Sequence, residues 1–204
     1  MSSSSPRGRS RVGRDSATRR QLIKATAELM LEEGYAAATS RRVAARAGVK
    51  PALVHYYFPS MDDLFVAVFR AGAEATLARQ REAMQNTGPL HALWQLNSTE
   101  GAQLMMEFMA LANHRKAIRS EIIAYSEQYG ALEEAAVATA LRASGVDLDQ
   151  FPPVVMSLIL TSLARMLLIE RNLGIERGHA AVQRFVDRYL DRYDAPPGSH
   201  VGDH

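Results

Sequence analysis

The chain has no cysteine and a single tryptophan among 204 residues. Without cysteine there is no disulfide framework, no thiolate nucleophile, no haem attachment and no cysteine-ligated metal site. That usage points to a reducing compartment, the cytoplasm. The first twenty residues are basic and Ser/Arg-rich without an apolar core, which excludes a secretory signal in them. Asn97-Ser98-Thr99 is then a chance match to a glycosylation acceptor. No stretch alternates apolar and polar residues as a half-buried strand does, and no repeat appears. Catalytic patterns are missing too. The six histidines form no His-Glu-x-x-His or His-x-His pair, and there is no nucleophile elbow, phosphate-binding loop or dinucleotide fingerprint. Asp62-Asp63 and Glu133-Glu134 are adjacent pairs, so the members of each point at different helix angles. No cofactor, metal site or enzyme activity is expected.

What is present is helical periodicity and an uneven charge. Residues 1–58 hold eleven Lys/Arg against four Asp/Glu, a net of +7, and the remainder carries −5. A basic front on an acidic back calls for an anionic partner at one end only, nucleic acid or a membrane surface. Residues 1–17 read as a disordered basic arm, Ser2 to Ser5 followed by Arg7, Arg9, Arg11 and Arg14 among Pro6, Gly8 and Gly13. Apolar spacing through Leu22, Ile23, Leu29 and Met30 predicts a helix stopped by Gly34. Thr39 caps a short helix to Ala47, Gly48 breaks it, and Pro51 opens another that Pro59 ends. Ser60 caps a long helix to about Met84 with Asp62 and Asp63 in its first turn. Further helices are expected over about 89–97, 99–114, 116–144, 153–173 and 177–193, then a disordered tail, 195–204. The fold class is all-α.

The 153–173 helix is apolar nearly all round, from Val154 to Ile169. Ser157, Thr161, Ser162 and Arg165 interrupt it and Glu170-Arg171 follow, so it is read as a core helix without a membrane role. Such a helix needs cover from two directions. Its own domain supplies one, and a second subunit packing through residues 153–193 supplies the other.

Residues 39–58 have the plan of a helix-turn-helix, whose second helix enters the major groove. Thr39 places a hydroxyl and free amides at a helix N-terminus, where phosphate oxygens bind, and Arg41 and Arg42 add charge there. Lys50, Pro51 and Ala52 stand at the tip of the second helix, compact enough for the backbone to approach base edges. His55 and Tyr56 offer donors to the groove wall. A tyrosine near a helix end is elsewhere often just the edge of a core; here arm, turn and donors coincide.

Residues 18–72 resemble the DNA-binding domain of the TetR (tetracycline-repressor) family of bacterial transcriptional regulators. The resemblance is carried by Ile23-x-x-Ala-x-x-Leu29, Gly34-Tyr35, Thr39-Ser-Arg-Arg-Val43-Ala44, Ala47-Gly48-Val49, Lys50-Pro-Ala-Leu-Val-His-Tyr-Tyr-Phe58, Pro59-Ser60 and Asp63-Leu64. It implies a homodimer with one reading head in each major groove of a palindromic operator. It also implies phosphate contacts at Thr39, Arg41, His55, Tyr56 and Tyr57, and base-facing positions at Lys50, Pro51 and Ala52. One departure is Met61, where the family often has lysine and a further phosphate contact. The domains expected are 18–60 for DNA binding and 61–194 for ligand binding and dimerisation.

The second half is rich in methionine, which lines adaptable cavities as readily as it fills cores. Met105, Met109 and Met156, with Trp94, Asn113 and Tyr125 as polar-capable neighbours, are the candidate ligand-binding residues. The expected function is a ligand-responsive regulator, a repressor released from double-stranded operator DNA by an apolar small molecule. The alternative is a helical protein that binds polyanions or membranes without sequence preference. An enzyme acting in the Met-lined cavity lacks an acid–base or nucleophile pair.

Overall fold

The computed structural model describes residues 7–86 and 88–194. Among these the regular elements are α-helices and one 3-10 turn, Tyr35–Ala37. The helices are α1 (Arg7–Glu33), α2 (Ser40–Arg46), α3 (Pro51–Tyr57), α4 (Met61–Asn86), α5 (Pro89–Leu96), α6 (Glu100–Ala112), α7 (Lys116–Ala143), α8 (Pro153–Asn172) and α9 (His179–Tyr193). From α2 onward, each end lies within two residues of the sequence expectation. Local chemistry sets those ends. Thr39 N-caps α2, Pro51 opens α3, and Gly34, Gly48 and Gly145 take the positive φ that the chain reversals require. Ser60 and Asp63 form a capping box: the Ser60 N–H donates to Asp63 Oδ2 at 2.9 Å, and the Asp63 N–H donates to Ser60 Oγ at 3.2 Å.

The first helix departs from expectation. It begins at Arg7, so ten or more residues read as a flexible arm lie on the same helix as Leu22 and Leu29. Arginine is a good helix former, and a helix already nucleated by a packed stripe extends without a second nucleation cost, against the roughly 1 kcal/mol that each of Gly8 and Gly13 takes away. The first six residues of that arm, and the expected tail at 195–204, fall outside the described residues.

The chain forms two compact units. Unit 1 joins the described residues of 1–72 to 104–121, and unit 2 joins those of 73–103 to those of 122–204. Helices α4, α6 and α7 each contribute residues to both. Unit 1 buries Leu22, Leu29, Met30, Val43, Val54 and Phe58 with Leu64 and Phe65 of α4. Phe69 of α4 and Phe108 of α6 meet edge to face, with ring centroids 5.3 Å apart. Arg70 pairs with Glu121 on α7 in a two-bond fork of 2.8 and 2.6 Å.

Unit 2 is built around Leu90, Leu93 and Trp94 of α5, Val137 and Leu141 of α7, Met156, Leu160, Ala164 and Leu167 of α8, and Val186 and Leu190 of α9. Helix α8 is long and apolar enough to cross a bilayer by length and composition. Met156, Leu160, Ala164 and Leu167 nevertheless pack into this core, while Val154, Val155, Leu158, Ile159 and Met166 on its other side remain exposed.

Candidate functional site

The turn between α2 and α3 closes through backbone bonds, Gly48 N–H to Ala45 O and Val49 N–H to Ala44 O. Val43, Ala44 and Val54 face inward and fix the angle between the two helices. What faces outward is the set chosen from sequence. Thr39, Arg41, Lys50, Pro51, Ala52, His55 and Tyr56 are all exposed, Tyr56 by 70%. Thr39 Oγ1 accepts the Arg42 N–H at 3.4 Å, leaving its own hydroxyl proton for an outside acceptor. Tyr57 is half-buried and supports Tyr56 edge to face at 5.0 Å.

The arginines divide into two roles. Arg42 is paired with Glu33 of α1. Arg46 forks onto Glu32 at 2.9 and 2.6 Å and reaches Glu28 at 3.6 Å. These hydrogen bonds hold the Glu32 and Glu33 carboxyls below the usual carboxylate range. Arg42, expected to add charge at the phosphate end, therefore pins α2 to α1. Arg41 and Lys50 have no ion-pair partner among the described residues. At the base of this unit the Tyr35 N–H donates to Glu107 Oε2 of α6 at 2.8 Å.

The six candidate ligand residues are divided between the two units. Met105, Met109 and Asn113 belong to unit 1, where Met105 is half-buried and the other two are exposed at the end of α6. Trp94, Tyr125 and Met156 belong to unit 2, where Trp94 and Met156 are core. A cavity of about 270 Å³ does open in unit 2, lined by Phe151, Val155, Met156, Ile159, Phe185 and Tyr189 among others. Of the six candidates it includes only Met156. Helical spacing assigns a methionine to a face, and only the packing says what covers that face.

A polar cluster in unit 2 escaped the sequence reading. Glu133 is 6% exposed, and its Oε2 accepts the Ser157 hydroxyl of α8 at 3.0 Å. Its Oε1 has no hydrogen-bond partner, a condition shared among the described residues by Gln80 Nε2 of α4. Burial pushes the Glu133 carboxyl above its ordinary range against the opposing pull of Ser157, Tyr129, Arg165 and Asn97. Burial, and then the charge of Glu133, push the Tyr125 hydroxyl up to about 12 and raise that of Tyr129 further. The four-residue spacing of Tyr125, Tyr129 and Glu133 was the available signal. The adjacency of Glu133 and Glu134 hid it.

A helix-turn-helix whose second helix is bare on its outer face is the arrangement by which such a motif is placed in a major groove. Residues 22–68 match the family of bacterial regulatory proteins, tetR family. That match covers the helix-turn-helix and the helices on either side of it, and by that domain the chain is similar to the tetR family. Over 82 residues it is 35% identical to the HTH-type transcriptional regulator BetI 2 of Chromohalobacter salexigens, covering 39% of this chain and 40% of that one. Over 97 residues it is 34% identical to BetI of Escherichia coli, covering 48% and 47%. The chain thus spans less than half the length of these curated relatives. Both of those proteins are named as transcriptional regulators. A transcriptional regulator from Saccharomonospora viridis, solved in complex with choline, shares the fold with a TM-score of 0.73 at 20% identity, over 86% of this chain and 96% of that one.

Proposed function

We propose that the chain is a transcriptional repressor that binds a palindromic operator as a homodimer and releases it when a small molecule with an apolar body binds. The observation that carries this reading is the exposed end of α3. Lys50, Pro51 and Ala52 lie at its N-terminus, with Thr39, Arg41, His55 and Tyr56 bare around them. Compact residues at the tip let the helix approach base edges, and the flanking side chains are donors of the kind that bind phosphate oxygens along a groove wall.

The dimer reading is supported by the apolar side of α8 left uncovered in a single chain. Leu158 is 60% exposed and Phe185 of α9 is 59% exposed. A two-fold axis would bring two such faces together and fill the cavity between α8 and α9 with the partner's side chains. The effector reading draws on the Saccharomonospora viridis relative of the fold, which was solved with choline. Selecting bound sequences from a random DNA pool with the full chain tests the function. One enriched palindrome is the expected result, and uniform recovery of all sequences would leave a polyanion binder instead.

A further inference from the structure

The corner between α6 and α7 belongs to the same unit as the reading helix α3. Leu111 before the turn and Ile118 after it are buried, which anchors the corner on the body of unit 1. Between and beside them Arg115, Lys116 and Arg119 are exposed. Arg115 pairs with Asp62 in the first turn of α4, and its guanidinium stands 5.9 Å from the centre of the Phe65 ring. Helix α4 starts at Met61 and α3 ends at Tyr57, so this contact holds the corner near the C-terminal end of the reading helix.

The charges here serve something other than the fold. The first turn of α4 carries Asp62 and Asp63, which by themselves would repel a phosphate chain lying on α3. Asp63 is turned into the helix cap, accepting the Ser60 N–H and hydroxyl at 2.9 and 2.7 Å, and Asp62 is neutralised by Arg115. Lys116 and Arg119 remain in excess, with no ion-pair partner among the described residues. Arg119 lies one turn beyond Arg115 on the same face, its N–H donating to Arg115 O at 3.1 Å. Its Nε donates to Ala112 O at 3.3 Å, which holds the guanidinium at the corner with N–H groups to spare. These cations do not stabilise α7, whose first turn has no acidic residue and whose leading amides already carry positive charge. A surplus of one sign beside a DNA-reading surface fits a polyanion that continues past that surface.

We propose that the α6–α7 corner is a second DNA contact, in which Lys116 and Arg119 bind backbone phosphates beside those met by α2 and α3. This rests on the reading of the chain as a DNA-binding regulator and adds a surface outside the helix-turn-helix. The contact is to phosphate, so it supplies affinity and orientation without choosing sequence.

Binding isotherms of the full chain on duplex DNA carrying its selected palindrome, at several salt concentrations, test this. Lys116→Gln should weaken binding and flatten the slope of log K against log salt by roughly 0.9, the value for one lost phosphate. Lys116→Gln combined with Arg119→Gln should flatten it by about twice that. Arg119→Lys, which keeps the charge, should bind DNA as the parent does, a rescue that a purely structural role for Arg119 would not give. Lys116→Gln should unfold at the parent's temperature, since its ammonium group holds no ion pair in the fold. Ethylation of single phosphates should reveal positions that matter to the parent and not to the double variant, distinct from those lost in Arg41→Ala. Unchanged affinity and slope in the double variant, or an ethylation pattern identical to the parent's, would overturn the proposal. So would binding to phosphatidylglycerol vesicles that Lys116→Gln abolishes while DNA binding stays intact, which would make the corner a membrane contact. Selection from a random pool keeps the two readings apart. An enriched palindrome with an unchanged slope in the double variant removes only the corner contact. If no palindrome is enriched, the same slopes on random duplex decide the corner, and only the regulator reading fails.

Discussion

The carboxylate of Asp194, one residue beyond α9, caps the start of α5 beside His91. Its Oδ1 accepts the Leu90 N–H at 3.1 Å, and its Oδ2 accepts the His91 N–H at 2.8 Å and lies 2.9 Å from His91 Nδ1. The side chain is 1% exposed. The end of the last helix thus satisfies amide groups that α5 leaves free, more than a hundred positions earlier in the sequence. A Cβ on Gly88 would lie 2.1 Å from this carboxyl carbon, so glycine is required at Gly88 for the carboxylate to reach the amides.

Asp194→Ala should therefore destabilise the chain by about 1–2 kcal/mol, the range for losing a helix cap. Gly88→Ala should act in the same direction by displacing the carboxylate. Chemical denaturation of the full chain measures both. If the two changes are combined, the loss should fall short of the sum, because each removes the same cap.

The buried Glu133 predicts a pH dependence with a definite sign. Its carboxyl is raised above the ordinary value of 4.5 by burial, so the folded chain holds the proton more tightly than the unfolded chain does. The stability due to this group is complete below about pH 4.5 and is lost as pH rises through the folded value. Glu133→Gln removes the charge, so it should be more stable than the parent at neutral pH, by on the order of 1 kcal/mol. That gain should shrink on acidification. Urea denaturation at several pH values checks this, and a gain independent of pH would place the effect elsewhere.

On DNA, Arg41→Ala and Lys50→Ala should reduce affinity and salt sensitivity together. The slope of log K against log salt should flatten by roughly 0.9 for each phosphate that the variant no longer neutralises. Deleting residues 1–14 should flatten it further while leaving the preferred palindrome unchanged. Arg42→Ala and Arg46→Ala should instead act through α2, since their partners are Glu33 and Glu32. Their signature is a lower unfolding temperature with a nearly unchanged salt slope. Binding isotherms at four or five salt concentrations distinguish the two classes.

Leu158→Glu and Phe185→Glu test the dimer face without touching the core, because both side chains are exposed in the single chain. Each should give a monomer in sedimentation with little change in thermal unfolding of the isolated chain. Leu167 is unsuitable for the same experiment: it packs in the core of unit 2, and a charge there would unfold it.

Much of the fold was legible because it is written locally. Thr39, Pro51, Ser60 with Asp63, and glycines 34, 48 and 145 set helix ends through bonds and dihedral limits within a few residues, so the order of residues alone specifies them. The outward-facing set on α2 and α3 was legible for the same reason, since two seven-residue helices joined by a tight turn leave little choice of face. The start of α1 was not. Residues 7–17 lack an apolar stripe, and their helix is an extension of one stabilised elsewhere.

The amino-acid order by itself determined the helices, their ends and the helix-turn-helix, because hydrogen bonds and side-chain caps of short sequence range decide those. Tertiary structure alone decided which equivalent-looking side chains became core and which remained bare. Met156 is packed and Met109 exposed, Arg42 is tied to Glu33 while Arg41 is not, and Glu133 is buried beside an exposed Glu134. Periodicity gives a residue its angle on a helix. Burial depends on which other helix, distant in sequence, arrives at that angle, and that is settled only when the whole chain packs.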